Sequence, residues 1–319
     1  MQYMKKEGTI PMAQKVTVFG SFVVDLMARA PRLPVPGETV LGSFFKQGAG
    51  GKGFNQGIAA HKSGGDVTMI TKLGRDSLAA VATDAMDSVG LSKDHLFYSE
   101  TEPTGVALIS VDENTSQNEI IIVPGACATI SDEDIASVAE RIKESAYLLL
   151  QLEVNQDANE KVAAMAKAAG VKVIVNTAPY SPVTDEFLSG CYLVTPNEVE
   201  AEELTGICVS DLESADKAAK VFKDKGVQNV VITLGSRGVY VNEDGKSEIV
   251  PAYKVNAIDT TGAGDAFNGG LLTALSEGKT IGEAARFANA LAAISVQRIG
   301  TTPSMPTRAE IDKFLEEHP

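Results

Sequence analysis

The sequence predicts an α/β fold in which a mainly parallel sheet is covered by helices on both faces. Three observations predict it. From about residue 52 onward, short β-branched runs alternate with stretches of helical periodicity. Those runs are apolar on both faces, as strands buried between two helical layers must be. At 319 residues the chain can bury a large core without dividing, and it holds no repeat and no low-complexity linker. Residues 1–319 are therefore read as one α/β domain.

The elements follow in order. Val16–Gly20 is a buried strand ending in glycine, Gly53–Ala60 begins a helix, Val67–Thr71 is a strand, and Ser77–Val89 has helical spacing. Tyr147–Leu150, Val171–Asn176, Tyr192–Thr195 and Val230–Leu234 read as further strands. The helices Asn159–Ala169, Glu198–Leu204 and Ala215–Lys225 lie between them. Two stretches break the rhythm. About 29–50 carries Pro31, Pro34 and Pro36, then strand-like alternation through Phe45. About 103–125 contains a β-hairpin over 104–123, with a polar turn at Asp112-Glu113-Asn114-Thr115-Ser116. Both look like antiparallel strands inserted into the parallel scaffold, either as a small β lid or as two surface hairpins.

Composition narrows the function. A net charge of −14 and a pI near 4.7 argue against a nucleic-acid or anionic-membrane partner, because phosphate backbones require basic surface. They do not exclude a nucleotide held by local N–H groups and a few lysines. Cys127, Cys191 and Cys208 are odd in number and widely spaced, and the histidines are only His61, His95 and His318. That combination disfavours zinc and histidine-based catalysis and points to reduced thiols. No apolar run approaches a membrane span or a secretory signal, so the expected location is cytoplasmic. Met12 is a possible shorter start.

The most informative segment is Asp259-Thr260-Thr261-Gly262-Ala263-Gly264-Asp265-Ala266-Phe267-Asn268. It reads as a glycine-hinged turn running into a helix, with Asp265 at the mouth. Gly262 and Gly264 let backbone N–H groups approach a ligand, and a helix start favours anions. A carboxylate beside an anion hole suits deprotonation of a hydroxyl that attacks a phosphoryl group.

Other segments are ambiguous one by one. Gly48-Ala49-Gly50-Gly51-Lys52-Gly53 matches G-x-G-x-x-G literally, but it does not follow the first strand of a βαβ unit, and it is not a P-loop. It reads instead as a loop presenting Lys52, Asn55 and Gln56 to a polyhydroxylated ligand, or as a structural turn. A dehydrogenase reading fails on this context. Asp25, five residues past the first strand, and Glu153, after the run Tyr147–Leu152, are acids at strand ends where open α/β sheets bind ligands. Asn197 and Glu200 share a helix face and could jointly hold hydrated Mg²⁺. Thr233-Leu234-Gly235-Ser236-Arg237-Gly238 ends a strand with two glycines, and Arg298–Ser304 is a loop of carbonyl and hydroxyl oxygens.

In this order and spacing, the motifs resemble the ribokinase-like (PfkB) sugar kinases over residues 14–316. Gly50-Gly51-Lys52-Gly53-Phe54-Asn55-Gln56 and Asp259–Asp265 carry the resemblance, with Thr195–Glu200 and Ile232–Gly238 between them. Gly37-Glu38-Thr39, Leu150–Glu153 and Glu203–Gly206 are closest to ribokinases and deoxyribokinases. The resemblance implies a three-layer, Rossmann-type α/β/α sandwich with a small antiparallel β lid. It also implies ATP-dependent phosphorylation of the 5-hydroxyl of D-ribose, with a 2-deoxy-D-ribose 5-kinase or another PfkB-type sugar kinase as the alternative and a catalytically idle sugar- or nucleotide-binding protein less favoured.

Roles follow from the same resemblance. Asp265 would be the general base, with Gly262, Ala263 and Gly264 completing the anion hole. Asp25, Gly51, Lys52, Asn55 and Glu153 would hold the sugar. Asn197, Thr233, Gly235, Gly264 and Asn289 would lie along ATP. Glu200 would order Mg²⁺ through water. Asp259, Thr261, Ser295, Arg298, Gly300 and Ser304 would hold an activating K⁺ or similar monovalent cation. A homodimer through the lid is expected. Three positions depart from the family pattern: Val23 where many ribokinases have asparagine, Phe54 after Gly-Gly-Lys-Gly, and Thr177 in Asn176-Thr177-Ala178-Pro179.

Overall fold

A computed structural model describes residues 13–115 and 117–319; Met12 and Ser116 lie outside them. Among the described residues, thirteen strands form two sheets. In chain order they are β1 Lys15–Phe19, β2 Val23–Ala30, β3 Phe44–Gly50, β4 Asp66–Gly74, β5 Leu96–Ser99, β6 Thr104–Asp112 and β7 Asn118–Gly125. Then come β8 Tyr147–Leu150, β9 Lys172–Val175, β10 Leu193–Val194, β11 Asn229–Thr233, β12 Val239–Glu243 and β13 Lys246–Val250. The α-helices are α1 Lys52–Lys62, α2 Ala79–Val89, α3 Asp132–Lys143, α4 Gln156–Ala168 and α5 Asp185–Leu188. They continue with α6 Glu198–Thr205, α7 Leu212–Asp224, α8 Ala263–Ser276, α9 Ile281–Ser295 and α10 Arg308–Glu317.

The large sheet runs β13-β12-β11-β10-β9-β8-β1-β4-β5. It is parallel from β11 to β5, as the apolar runs required. Helices α2, α1, α8, α9 and α10 contact one another in succession, while α3, α4 and α5 pack together, as do α6 and α7. Burial of both strand faces makes Val16, Val18, Leu148, Leu149, Val173, Val230 and Ile232 fully buried.

The antiparallel extension β12–β13 was not anticipated, although its signal was present. Asp244-Gly245 forms a two-residue hairpin with φ of 51° and 80°, the left-handed pair that Asp-Gly adopts readily. The second sheet has the order β3-β2-β6-β7. Its two antiparallel pairs, β2–β3 and β6–β7, join through parallel pairing of β2 with β6. Strand β2 starts at Val23, ahead of the expected insertion at 29. Asp25 therefore sits on a strand rather than in a loop, which fixes the direction of its side chain.

Phe54 is fully buried and meets Phe22 edge-to-face at 4.9 Å between ring centroids. Its bulk belongs to the core and does not narrow a ligand pocket. Such a pair contributes roughly 0.5–1.5 kcal/mol beyond its area burial.

Candidate active site

Chain order reverses at β1. From it the chain proceeds to β4 and β5 on one side and later to β8 and β9 on the other. A crevice opens beyond the carboxyl ends of strands at such a point. Ser21 follows β1 and Glu153 follows β8, and the two meet there through Ser21 Oγ donating to Glu153. The same carboxylate accepts the Lys52 N–H at 2.8 Å, so Glu153 caps a helix whose own N-cap, Gly51, has no side chain to offer. Gly53 is glycine for a packing reason. A Cβ there would lie 2.7 Å from backbone atoms of Gly20 and Ser21.

The first turns of α1 and α8 pack side by side at this crevice. Asp265, only 7 % exposed, lies in the first turn of α8 behind Gly262, whose φ of 76° starts the helix from a left-handed turn. Its Oδ2 accepts from Asn55 Nδ2 and its Oδ1 from Gln56 Nε2, both at 3.0 Å. Burial pushes the Asp265 pKa up, against Lys52, Gln56 and Asn55, which favour the carboxylate. Burial also acts to lower the pKa of Lys52, but Asp265, Glu153 and Glu200 outweigh it and the net shift is upward. Each of the two groups favours the charged form of the other, although for Asp265 burial outweighs that help. Gly264 differs from Gly53, since a Cβ there would meet no protein atom within 4 Å. Packing does not require glycine at that point of a helix, where alanine is favoured by about 1 kcal/mol.

Asp25 reaches the crevice from β2, in the space left by Gly50, where a Cβ would lie 2.2 Å from its carboxylate oxygen. Burial first, then Glu153 and Asp265, raise its pKa to about 6, with Lys46 opposing. Because this folded-state pKa lies above the ordinary 3.8, ionising Asp25 destabilises the fold. The penalty is absent below pH 3.8, grows through the interval to 6, and is complete above it. Asp25→Asn is therefore expected to raise the melting temperature at pH 8 and leave it unchanged near pH 3.5. Thermal unfolding at both pH values checks this, and an equal shift at both would contradict it.

A cleft of about 470 Å³ opens between the small sheet and the loops after β13 and α9. Asp25, Lys46, Asp259, Thr261 and Gly300 line it, whereas Asp265 and Lys52 lie outside that lining.

On the other side of the crevice, Asn197 caps α6 in a reciprocal box. Its side chain accepts from Glu200 N–H, and both Glu200 oxygens accept from Asn197, at N–H and at Nδ2. Asn197 also bridges to Thr233 at the end of β11. Gly235 follows with φ of 55° and open space where a Cβ would stand. Asn289 on α9 donates its amide to the carbonyls of Val250 and Pro251 at 3.3 and 3.1 Å.

Asp259 accepts from Thr261 N–H at 3.0 Å and Gly300 N–H at 2.9 Å, tying the 259–261 and 298–304 loops together. Burial opposes its ionisation, but those N–H groups and Lys46 win, and its pKa is lowered. Arg298 N–H donates to Ser295 O and its guanidinium reaches Ser304 O, a second set of bonds separate from the one Asp259 makes with Thr261 and Gly300. The Ser295 and Ser304 hydroxyls are bonded locally, to Ala292 O and Thr301 O.

Gln56 does not project towards a ligand as the loop reading suggested. It is fully buried and donates to Asn176 Oδ1 at 2.9 Å as well as to Asp265. Gln151 and Asn176, quoted from the sequence only as parts of motifs, had no role assigned to them. The available signal was a lone amide inside the apolar run 147–152 and another at the end of β9.

Known proteins place the chain in a family. The model for "pfkB family carbohydrate kinase" matches residues 13–308. A ribokinase of Haemophilus influenzae is 44% identical over 305 residues, covering 96% of this chain and 99% of its own. A deoxyribokinase of Salmonella typhi is 36% identical over 301 residues, covering 94% and 98%. The solved structure of Arabidopsis thaliana ribokinase complexed with ribose and ATP matches with a TM-score of 0.89 at 34% identity, covering 96% and 99%. The chain belongs to the pfkB family of carbohydrate kinases, phosphotransferases that use an alcohol group as acceptor.

Proposed function

We propose that this protein phosphorylates the 5-hydroxyl of D-ribose with ATP, giving D-ribose 5-phosphate and ADP. The observation that carries the reading is Asp265, a buried carboxylate at a helix mouth, charge-balanced by Lys52 and oriented by two amides. In this reading Asp265 takes the proton from O5 as the γ-phosphoryl transfers. The N–H groups at 262–265 stabilise the charge that develops on it. Phosphoryl transfer needs chiefly such positioning and charge stabilisation. Asp25, Gly51, Lys52, Asn55 and Glu153 hold the sugar, with Asn197, Thr233, Gly235, Gly264 and Asn289 along the nucleotide.

Two ions fit the donors present. Each Glu200 oxygen already accepts one hydrogen bond, which suits contact with Mg²⁺ through water rather than directly. Mg²⁺ supplies charge neutralisation on the phosphates when bound. Asp259, kept ionised, with oxygens of Thr261, Ser295, Arg298, Gly300 and Ser304, suits K⁺ and would stiffen the loop that leads into the anion hole. Potassium is expected to raise kcat several-fold over sodium at matched ionic strength. Equal rates in both salts would remove the cation from the scheme.

We also place the two insertions, about 29–50 and 103–125, as a lid on one kinase domain. The homodimer forms through the lid's outer face, where Leu108, Ile121 and Val123 stand exposed. Sedimentation as a monomer at micromolar concentration would contradict that.

Val23 favours a second reading, 2-deoxyribose. It is 5 % exposed, facing Gly50 and Gly105 across the small sheet, and offers no partner to a sugar hydroxyl. A hydroxyl buried without a partner costs about 1–3 kcal/mol. A coupled ADP assay with ribose, 2-deoxyribose, fructose and adenosine tests the function. The highest kcat/KM is expected with ribose. A higher value with 2-deoxyribose would select the second reading, and turnover of adenosine alone would overturn both.

A further inference from the structure

Beneath the crevice, three carboxamides from three different elements are wired to the Asp265 carboxylate, and none belongs to the sugar or nucleotide contacts assigned above. Gln151 Nε2 donates to Gln56 Oε1 at 2.7 Å. Gln56 Nε2 then donates both to Asp265 Oδ1 at 3.0 Å and to Asn176 Oδ1 at 2.9 Å. Asn176 in turn donates to Thr195 O at 2.9 Å, and Thr195 Oγ donates to Asn268, whose amide holds Gly264 O in the first turn of α8.

The direction of this chain is forced. Turning the Gln56 amide over would set its oxygen against two acceptors, Asp265 Oδ1 and Asn176 Oδ1, and its NH₂ against the Gln151 donor. Gln151 itself is fully buried, with no partner for Oε1 among the described residues, in space that residue 20 leaves by being glycine: a Cβ there would lie 1.9 Å from that oxygen. Leaving a buried amide oxygen without a donor is unfavourable. It is tolerated here in the one orientation that aims Nε2 at Gln56.

We propose that Gln56, locked by Gln151 and Asn176, is a positioning residue that fixes the Asp265 carboxylate for proton abstraction. The inference rests on Asp265 being the base. Removing the Gln56 donor takes away a hydrogen bond to the charged form, so Asp265 protonates more easily. The other charged groups facing it, Lys52 from α1, Glu153 beyond β8 and Asp25 from β2, stay in place.

The test is Gln56→Met in the full chain, with kcat and KM measured from pH 5 to 9. Expected are a ten- to hundred-fold fall in kcat, KM values for ribose and ATP within about threefold, and an acid limb displaced to higher pH. Gln151→Met should displace the limb in the same direction by less, and it carries the test if Gln56→Met does not fold. A limb unmoved in a folded variant, or a loss confined to KM, overturns the proposal. Titrating ¹³C-carboxyl-labelled aspartate by NMR, with Asp265→Asn to assign the signal, gives the same answer without turnover. Substantial activity in Asp265→Asn would instead refute the base, leaving the NMR shift to judge the relay alone.

Discussion

Replacing Asp265 by asparagine is expected to cut kcat by about 10²–10⁴-fold, the usual contribution of a positioned general base. Nucleotide binding should change little, because the carboxylate's hydrogen-bond partners are Asn55 and Gln56 and not the residues placed along ATP. The substitution removes a charge that burial disfavours, so no large loss of stability accompanies it. Single-turnover kinetics together with ADP binding by calorimetry check the split. Near-normal kcat with intact binding would mean that another group takes the O5 proton.

Gly53→Val is expected to damage stability and activity together. The new Cβ would meet Gly20 and Ser21 backbone at 2.7 Å, atoms that cannot swing aside as a flexible side chain would. Helix α1 must then retreat from the end of β1, and Lys52, Asn55 and Gln56 retreat with it. Overpacking of this kind costs about 1–3 kcal/mol. A displacement near 1 Å at a catalytic constellation costs on the order of 10²-fold in rate. Melting temperature and kcat/KM should therefore fall together. Gly264→Ala provides the contrast: its melting temperature should hold or rise slightly while kcat falls, since its Cβ meets no described neighbour within 4 Å and points at the space proposed for the ligand.

The parallel sheet was legible because its strands are buried on both faces and read as continuous apolar runs. The two-sheet arrangement was only half legible. Alternation over 104–123 announced a hairpin, but β2 hid its start, since Val23-Val24-Asp25 reads equally as the tail of the first strand's loop. In the site, Lys52 and Asp265 could be singled out because glycines around them signal close backbone approach to a ligand. Gln151 could not, because an amide within an apolar run gives no sign of which distant group it faces.

The sequence by itself determined the alternation of strands and helices, the two glycine-rich helix mouths, and the motifs that resemble a sugar-kinase family. Those properties rest on local periodicity and on residue types at fixed spacing. Only the tertiary structure decided that Ser21, Lys52, Gln56, Glu153, Asn176 and Asp265 converge. Gln56 and Asp265 are 209 residues apart, and nothing local fixes such a pairing. It follows from the strand order around β1, which sets which loops open into one crevice. The same burial converted an ordinary carboxylate into one whose protonation depends on two amides and a lysine.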